Sequence, residues 1–377
     1  MRTLQIGMEW FPEEPGGLNR YYMDLIRHLP ACGVEVRGLV AGSDRVPAET
    51  GGRVHPFPRH APLVRRLLAL RKIAAQEVRG ADLVVGHFAP YTLPFLPRLG
   101  RRPLVVHFHG PWSDETIREG GRSLASRAKA SVEHTVYRRA AAFVVLSRAF
   151  GDLLAERYRV APEKVTVIPS GVEVERFDTT VTREEARARL GWPSGGRVVL
   201  AVRRLVRRMG LENLIEAMRI VRREVPDAAA CIAGAGPLRT ELEERIRGAG
   251  LQDAVRLLGV VPDDDLIMAY RAADFTVVPT VALEGFGIIT IESLACGRPV
   301  LVTPVGGLPE AVRGLSADLV MASSEATDIA AAISAALCGP LALPDEAACR
   351  QFARDRYDWP VIASRVAEVY RNVLSAA

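Results

Sequence analysis

Long apolar runs are missing from this 377-residue chain. None approaches the roughly 20 residues needed to cross a bilayer, and the opening Met1-Arg2-Thr3-Leu4-Gln5-Ile6-Gly7 reads as a strand rather than a signal peptide. A cytoplasmic protein is expected. Cysteine is sparse: Cys32, Cys231, Cys296, Cys338 and Cys349 are odd in number, scattered, and lack the paired spacing of zinc or redox sites, which leaves reduced core residues. Aromatic residues make up 6% of the chain and do not interleave with its basic runs, so nucleic acid is not an expected partner. Acidic residues are scarce in one stretch, where between positions 59 and 102 only Glu77 and Asp82 stand against Arg59, Arg65, Arg66, Arg71, Lys72, Arg79, Arg98, Arg101 and Arg102.

What is present is apolar bulk. At 49% apolar residues, a chain this long can bury large cores and is better divided into two domains than one. Its net charge of +5 is uneven, about +7 over residues 1–180 and −2 over the remainder. Ala61 to Lys72 has the pattern of a basic amphipathic helix, suited either to an anionic membrane surface at the inner face of the cell membrane or to plain solvation. Short apolar strands are expected at Thr3–Met8, Val34–Val40, Leu83–Gly86, Leu104–Phe108, Phe143–Leu146 and Val165–Ile168, alternating with helices as in an open parallel sheet. The alternation lapses over the polar residues 178–196, a plausible connection between domains. It resumes at Arg197–Val202, Cys231–Ala233, Val255–Leu258, Phe275–Val278, Val300–Val302 and Leu319–Met321. In such sheets ligands bind beyond the strand carboxyl ends, so the residues after each strand matter most.

The most informative stretch is Glu284-Gly285-Phe286-Gly287-Ile288-Ile289-Thr290-Ile291-Glu292. Glu284 falls in a loop after the strand Phe275–Val278, and Glu292 in a helix beginning near Gly287. The glycines leave amides bare at a helix N-terminus, where a diphosphate is attracted, and carboxylates accept well from sugar hydroxyls. A nucleotide sugar has that chemistry. Together with Ser293-Leu294-Ala295-Cys296-Gly297 and Val305-Gly306-Gly307-Leu308-Pro309-Glu310, the segment resembles the signature of retaining glycosyltransferase family 4. That resemblance implies an α/β GT-B fold, two Rossmann-like doubly wound domains facing across a cleft. An acceptor-binding domain is placed at 1–177, with the helix 360–377 crossing back onto it, and a donor-binding domain at 178–359.

Residue by residue, the resemblance gives Glu284 the donor-sugar hydroxyls, Glu292 the ribose, and Gly285, Phe286, Gly287 and Ile288 the diphosphate cradle. Gly16-Gly17, at the start of a helix, match the family's glycine pair near the donor; His109, from His107-Phe108-His109-Gly110, matches a histidine that reaches the donor sugar. Arg204 matches the diphosphate-gripping arginine, and Gly234 and Gly236 a turn near the nucleotide. Met209 departs from the pattern, since a lysine is usual there and a thioether cannot donate to a phosphate. Arg208, or Arg203 in place of a usual glycine, is positioned to replace it. Ser170 and Glu173 replace an asparagine and an aspartate.

The implied activity is metal-independent, retaining transfer of a sugar from a nucleoside diphosphate sugar to a glycan, lipid-linked or small-molecule acceptor, with no cofactor. Cell-surface glycan, glycolipid or secondary-metabolite biosynthesis is the expected setting. A non-catalytic nucleotide-sugar-binding protein or a GT-B epimerase are the alternatives. His107 and His109 lie on one strand face, but with no third ligand nearby a zinc site is not expected; His87 is assigned by position to the acceptor side. Asp263-Asp264-Asp265 opens a helix and reads as dipole matching rather than a metal motif.

Overall fold

The computed structural model describes residues 1–113 and 123–377. The chain divides into two units: Met1–Gly171 with Trp359–Ala377, and Val172–Asp358.

The first unit is built on a seven-stranded parallel sheet of β1 (Arg2–Glu9), β2 (Glu35–Gly42), β3 (Val54–Pro58), β4 (Leu83–Gly86), β5 (Leu104–Phe108), β6 (Ala142–Val145) and β7 (Val165–Val167), in the order 3-2-1-4-5-6-7. β1 pairs with both β2 and β4, so the strand order reverses there. β3 went unread in the sequence because Pro56 and Pro58 interrupt its pattern, and the sheet accommodates them at an edge, where missing N–H groups cost least. Leu4 and Ile6 of β1, Val84 of β4 and Val106 and Phe108 of β5 carry the centre of the core. Helix α1 (Gly17–His28) follows β1, and α2 (Leu63–Glu77) follows β3.

The C-terminal helix α3 (Trp359–Ser375) packs within this unit, burying Trp359, Ile362, Val366 and Tyr370 at helical spacing. A Cβ on Gly171 would come within 2.5 Å of the Trp359 ring, so this packing requires a glycine.

The second unit has a five-stranded parallel sheet, β8 (Arg197–Val202), β9 (Ala228–Ala233), β10 (Val255–Gly259), β11 (Phe275–Val278) and β12 (Val300–Val302), in the order 10-9-8-11-12. Here the order reverses between β8 and β11. Three expectations are corrected. Residues 178–196 contain the helix Arg183–Leu190, opened by a Thr182/Glu185 capping box and closed by a left-handed Gly191. Arg187 of that helix is buried, donating to the carbonyls of Ala272 and Gly196 and pairing with Asp274 at 3.0 Å, so the segment is an integral part of the unit. Leu319–Met321 forms no strand; it makes a single bridge from Val320 to Val302. The second unit also starts at Val172 rather than at 178, because the short helix Val174–Phe177 buries Val174 and Phe177 on that side. Among the described residues no helix is long and apolar enough to cross a membrane.

Candidate functional site

Adjacency of β8 and β11 decides what meets in the second unit. The residue after β8 is Arg203; the loop after β11 runs from Pro279 to Gly287. Arg203 is buried, and its Nη2 donates to Glu284 Oε2 at 2.8 Å and to Thr280 Oγ1. Arg208, further along the same β8 loop, donates to the carbonyl oxygen of Leu283 at 2.9 Å. Leu283 has φ 51°, a left-handed conformation that a leucine adopts only when its surroundings impose it. Glu284 is therefore preceded by a residue braced from across the crevice.

Its own backbone is fixed from another side. The carbonyl of Glu284 accepts from Gly307 N–H at 3.0 Å, and a Cβ on Gly306 would lie 2.0 Å from that carbonyl oxygen. The glycine pair of Val305-Gly306-Gly307 thus lets two loops touch. Gly287 caps the helix Ile288–Ala295 with φ 79°, and a Cβ there would crowd Leu308 at 2.7 Å. Phe286 is buried with its ring edge-on to Tyr357 at 5.4 Å, so it anchors the loop. Ile288 is half-buried at the first helical position, and Gly285 is buried beside Glu284.

Glu292 lies inside the helix and is buried, with Tyr270 OH donating to its Oε2 at 2.9 Å. Gly234 and Gly236 have a packing role: Cβ atoms would come within 1.9 Å of Arg203 O and 2.4 Å of Leu205 O, so the β9 loop can lie against the β8 loop only as glycine. Arg204 is exposed on that loop. Met209 is buried, and Arg203 and Arg208, the two candidates to replace a lysine there, both hold the Thr280–Glu284 loop. Asp263 pairs with Arg176 at 2.9 Å in the first turn of its helix.

The first unit gathers a different set at its own reversal point. Gly16 caps α1 and Gly17 opens it; Asn19 in its first turn accepts from Glu9 N–H at 3.2 Å and donates to Glu14 O at 3.0 Å, tying down the glycine-bearing loop. His107 and His109 are joined by His87, and the three rings offer nitrogens all within 4.8 Å of one another. The third nitrogen that sequence spacing lacked comes from the neighbouring β4 loop. These nitrogens are already engaged: His87 Nε2 faces Gln5 Oε1 at 3.0 Å and its Nδ1 faces His109 Nε2 at 3.4 Å. His107 lies between Tyr21 OH at 3.0 Å and Tyr370 OH at 2.8 Å. Since Gln5 Oε1 can only accept, His87 carries its proton on Nε2 and accepts from His109 at Nδ1. Burial holds His87 and His107 well below the usual imidazole range and His109 at about 3, so all three are neutral near pH 7.

The family model described as "Glycosyl transferases group 1" matches residues 182–356, and "Glycosyltransferase Family 4" matches residues 15–176. A GDP-mannose-dependent alpha-(1-6)-phosphatidylinositol monomannoside mannosyltransferase of Mycolicibacterium smegmatis is 30% identical over 382 residues, covering 95% of this chain and 96% of its own. The chain belongs to glycosyltransferase family 4. A glycogen synthase of Mycobacterium tuberculosis is 27% identical, over 98% of this chain and 94% of that one. Among solved structures, Anabaena HepE in complex with UDP and glucose superposes with a TM-score of 0.81 at 22% identity, covering 99% of this chain and all of that one. The likeness to HepE shows the GT-B fold, and family membership makes the chain a glycosyltransferase.

Proposed function

We propose that this glycosyltransferase moves a sugar from a nucleoside diphosphate sugar to an acceptor hydroxyl with retention of anomeric configuration and without metal. The observation that carries the reading is Glu284, a carboxylate fixed through its backbone by Gly306-Gly307 and through its side chain by Arg203, next to a glycine-bounded helix start. HepE, of the same fold, is solved with UDP and glucose, which supports a nucleotide-sugar donor. Glu284 would take the donor-sugar hydroxyls, Glu292 the ribose, and the Gly285–Ile288 amides with Arg204 the charge that grows on the diphosphate. His109, held neutral, would offer a hydrogen bond without adding charge. Gly16 and Gly17, Arg208 and the Gly234/Gly236 turn complete the proposed donor contacts. The bond from the anomeric carbon to the diphosphate oxygen breaks as the acceptor oxygen bonds on the same face, and the acceptor proton passes to the departing phosphate oxygen.

The test is a thermal-shift panel of UDP-, GDP-, ADP- and dTDP-sugars with EDTA present, followed by proton NMR of the product's anomeric centre. A donor at about 100 times its dissociation constant adds about 2.7 kcal/mol to stability, so the donor class shows before the acceptor is known. An inverted product, or activity lost in EDTA, would reject the reading. Binding without turnover would return the non-catalytic alternative suggested by Met209, and product formed without acceptor would return the epimerase.

One observation favours a membrane-borne acceptor. On α2, Leu63, Val64 and Leu68 are exposed at 42, 68 and 55%, beside exposed Arg65, Arg71 and Lys72. Apolar side chains flanked by cations suit an anionic bilayer surface. Flotation with phosphatidylglycerol vesicles should be lost in Val64→Glu/Leu68→Glu and weakened by salt; binding unaffected by both would remove the membrane from the reading.

A further inference from the structure

We propose that Arg203 is the positioning residue for Glu284, setting which carboxylate oxygen the donor sugar meets. The inference rests on the reading of Glu284 as the sugar-binding carboxylate. The geometry is a three-part clamp: Thr280 Oγ1 and Glu284 Oε2 both take Arg203 Nη2, and the Arg203 side chain is 6% and that of Glu284 13% exposed. With Oε2 held at 2.8 Å by a guanidinium, Oε1 is left as the freer acceptor, and the carboxylate plane is fixed before any ligand arrives.

Stability alone does not account for an arginine here. Burying an ion pair commonly returns less than well-packed apolar side chains would, and the Arg203 Nε is buried with no hydrogen-bond partner. Both features cost free energy in the folded protein. What the arrangement supplies is a preset orientation of Glu284, and the elements around it serve the same end. Arg203 N–H is tied to Ala233 O at 2.8 Å, and Gly234, at φ 141°, packs its bare Cα against the Arg203 carbonyl, where a Cβ would be 1.9 Å away. The base of the clamp is therefore held by β9, and its tip by the loop after β11.

This assignment separates Arg203 from a direct phosphate ligand. A residue that acts through Glu284 affects the sugar half of the donor and leaves the nucleoside diphosphate half alone. The experiment measures dissociation constants by calorimetry for the nucleoside diphosphate and for its sugar, in the base class that the wild-type enzyme binds, together with steady-state transfer. The variants are Arg203→Met, Arg203→Lys, Thr280→Val, Glu284→Gln and the double Arg203→Met/Glu284→Gln.

Arg203→Met should bind the nucleoside diphosphate as the wild type does while its preference for the sugar-bearing form falls about tenfold, the worth of one charge-assisted hydrogen bond. Its kcat should drop by at least that factor; Arg203→Lys should recover part of the loss, and Thr280→Val should show a smaller one. The double variant should be no worse than Glu284→Gln alone, because Arg203 has nothing left to position. Weaker nucleoside diphosphate binding in Arg203→Met, or losses that multiply in the double variant, would overturn the proposal and make Arg203 a phosphate ligand. Tighter donor binding in Arg203→Met would also overturn it, since the pair would then be a latch that the donor has to break. A wild-type chain that binds no nucleotide sugar at all would instead sink the donor reading itself, and the proposal with it.

Discussion

The two sheets present the same topological feature, a reversal of strand order, and place opposite kinds of chemistry beside it. In the first unit the residues around β1, β4 and β5 are Gln5, His87, His107 and His109, a stack of neutral rings joined by hydrogen bonds. In the second they are Arg203, Thr280 and Glu284, an ion pair with a hydroxyl. The composition follows the same division. All seven histidines lie in the first unit, and lysine occurs only as Lys72, Lys129 and Lys164, also in the first unit. Every basic side chain of Val172–Asp358 is an arginine. Arginine keeps its charge when buried and offers a rigid fork of donors, whereas imidazole escapes the cost of burial by losing its proton. The lesson is that a strand-order reversal supplies a crevice, and residue type decides whether it is run on charge or on hydrogen bonds.

Acidification should break the comparison most strongly. His87, His107 and His109 are depressed in the fold, whereas in the unfolded chain they titrate near 6.5. Their stabilising contribution is complete above that value and is lost as pH falls from it toward the folded values. Each can cost up to about 1.4 kcal/mol per pH unit, so at pH 5 the three together approach about 6 kcal/mol. Peptide-level hydrogen exchange at pH 7 and pH 5 should show the first unit opening and the histidine-free second unit unchanged. Equal loss of protection in both units would mean that the histidines do not carry the effect.

The matching break in the second unit is Asp274→Ala. That carboxylate receives Arg183, Arg187 at 3.0 Å and Val198 N–H at 2.7 Å, and the Arg187 side chain is 5% exposed. Removing it strands a buried guanidinium and should cost about 4 kcal/mol in urea unfolding. In the first unit Gln5→Leu should cost about 3 kcal/mol, because it leaves His87 Nε2–H without its acceptor and withdraws the amide from Thr3 and Tyr370. It should also let His87 change tautomer, visible in nitrogen-15 spectra of labelled histidine; an unchanged tautomer would show that Gln5 does not set it.

What could be read from the sequence was what lies close together along it. Glu284 and Glu292 share one segment, so their loop and helix were legible from glycines and apolar spacing. The partner of Glu284 was not, because Arg203 reaches it and Thr280 only through the adjacency of β8 and β11, which no local pattern encodes. His87 was placed by its position after a strand, yet its contact with His109 depends on β4 lying beside β5. The helix Arg183–Leu190 was hidden by its polarity, since Arg187 spends its donors on buried carbonyls while looking, in sequence, like a surface residue. A signal was available there: Thr182 followed by Glu185 is a capping box.

The smallest expected effect sharpens the comparison inside the second unit, where Glu292 is a buried carboxylate that pairs with no arginine among the described residues. A phenol meets it, Tyr270 OH donating at 2.9 Å, and Tyr270 is itself fully buried with its ring edge-on to Phe177. A neutral donor orients a carboxylate without cancelling its charge, which leaves that charge available to ribose hydroxyls, whereas Arg203 neutralises Glu284 in place. Tyr270→Phe keeps the ring packing and deletes the hydroxyl that donates to Glu292 and also lies 3.4 Å from Ile289 O, so unfolding free energy should fall by about 2 kcal/mol. Nucleoside diphosphate affinity should fall as well, since Glu292 is assigned to the ribose and not to the sugar. Arg203→Met, in contrast, is expected to spare that affinity. If Tyr270→Phe lowered stability while nucleoside diphosphate binding stayed at the wild-type value, Glu292 would be a structural carboxylate and the ribose contact would have to be sought elsewhere.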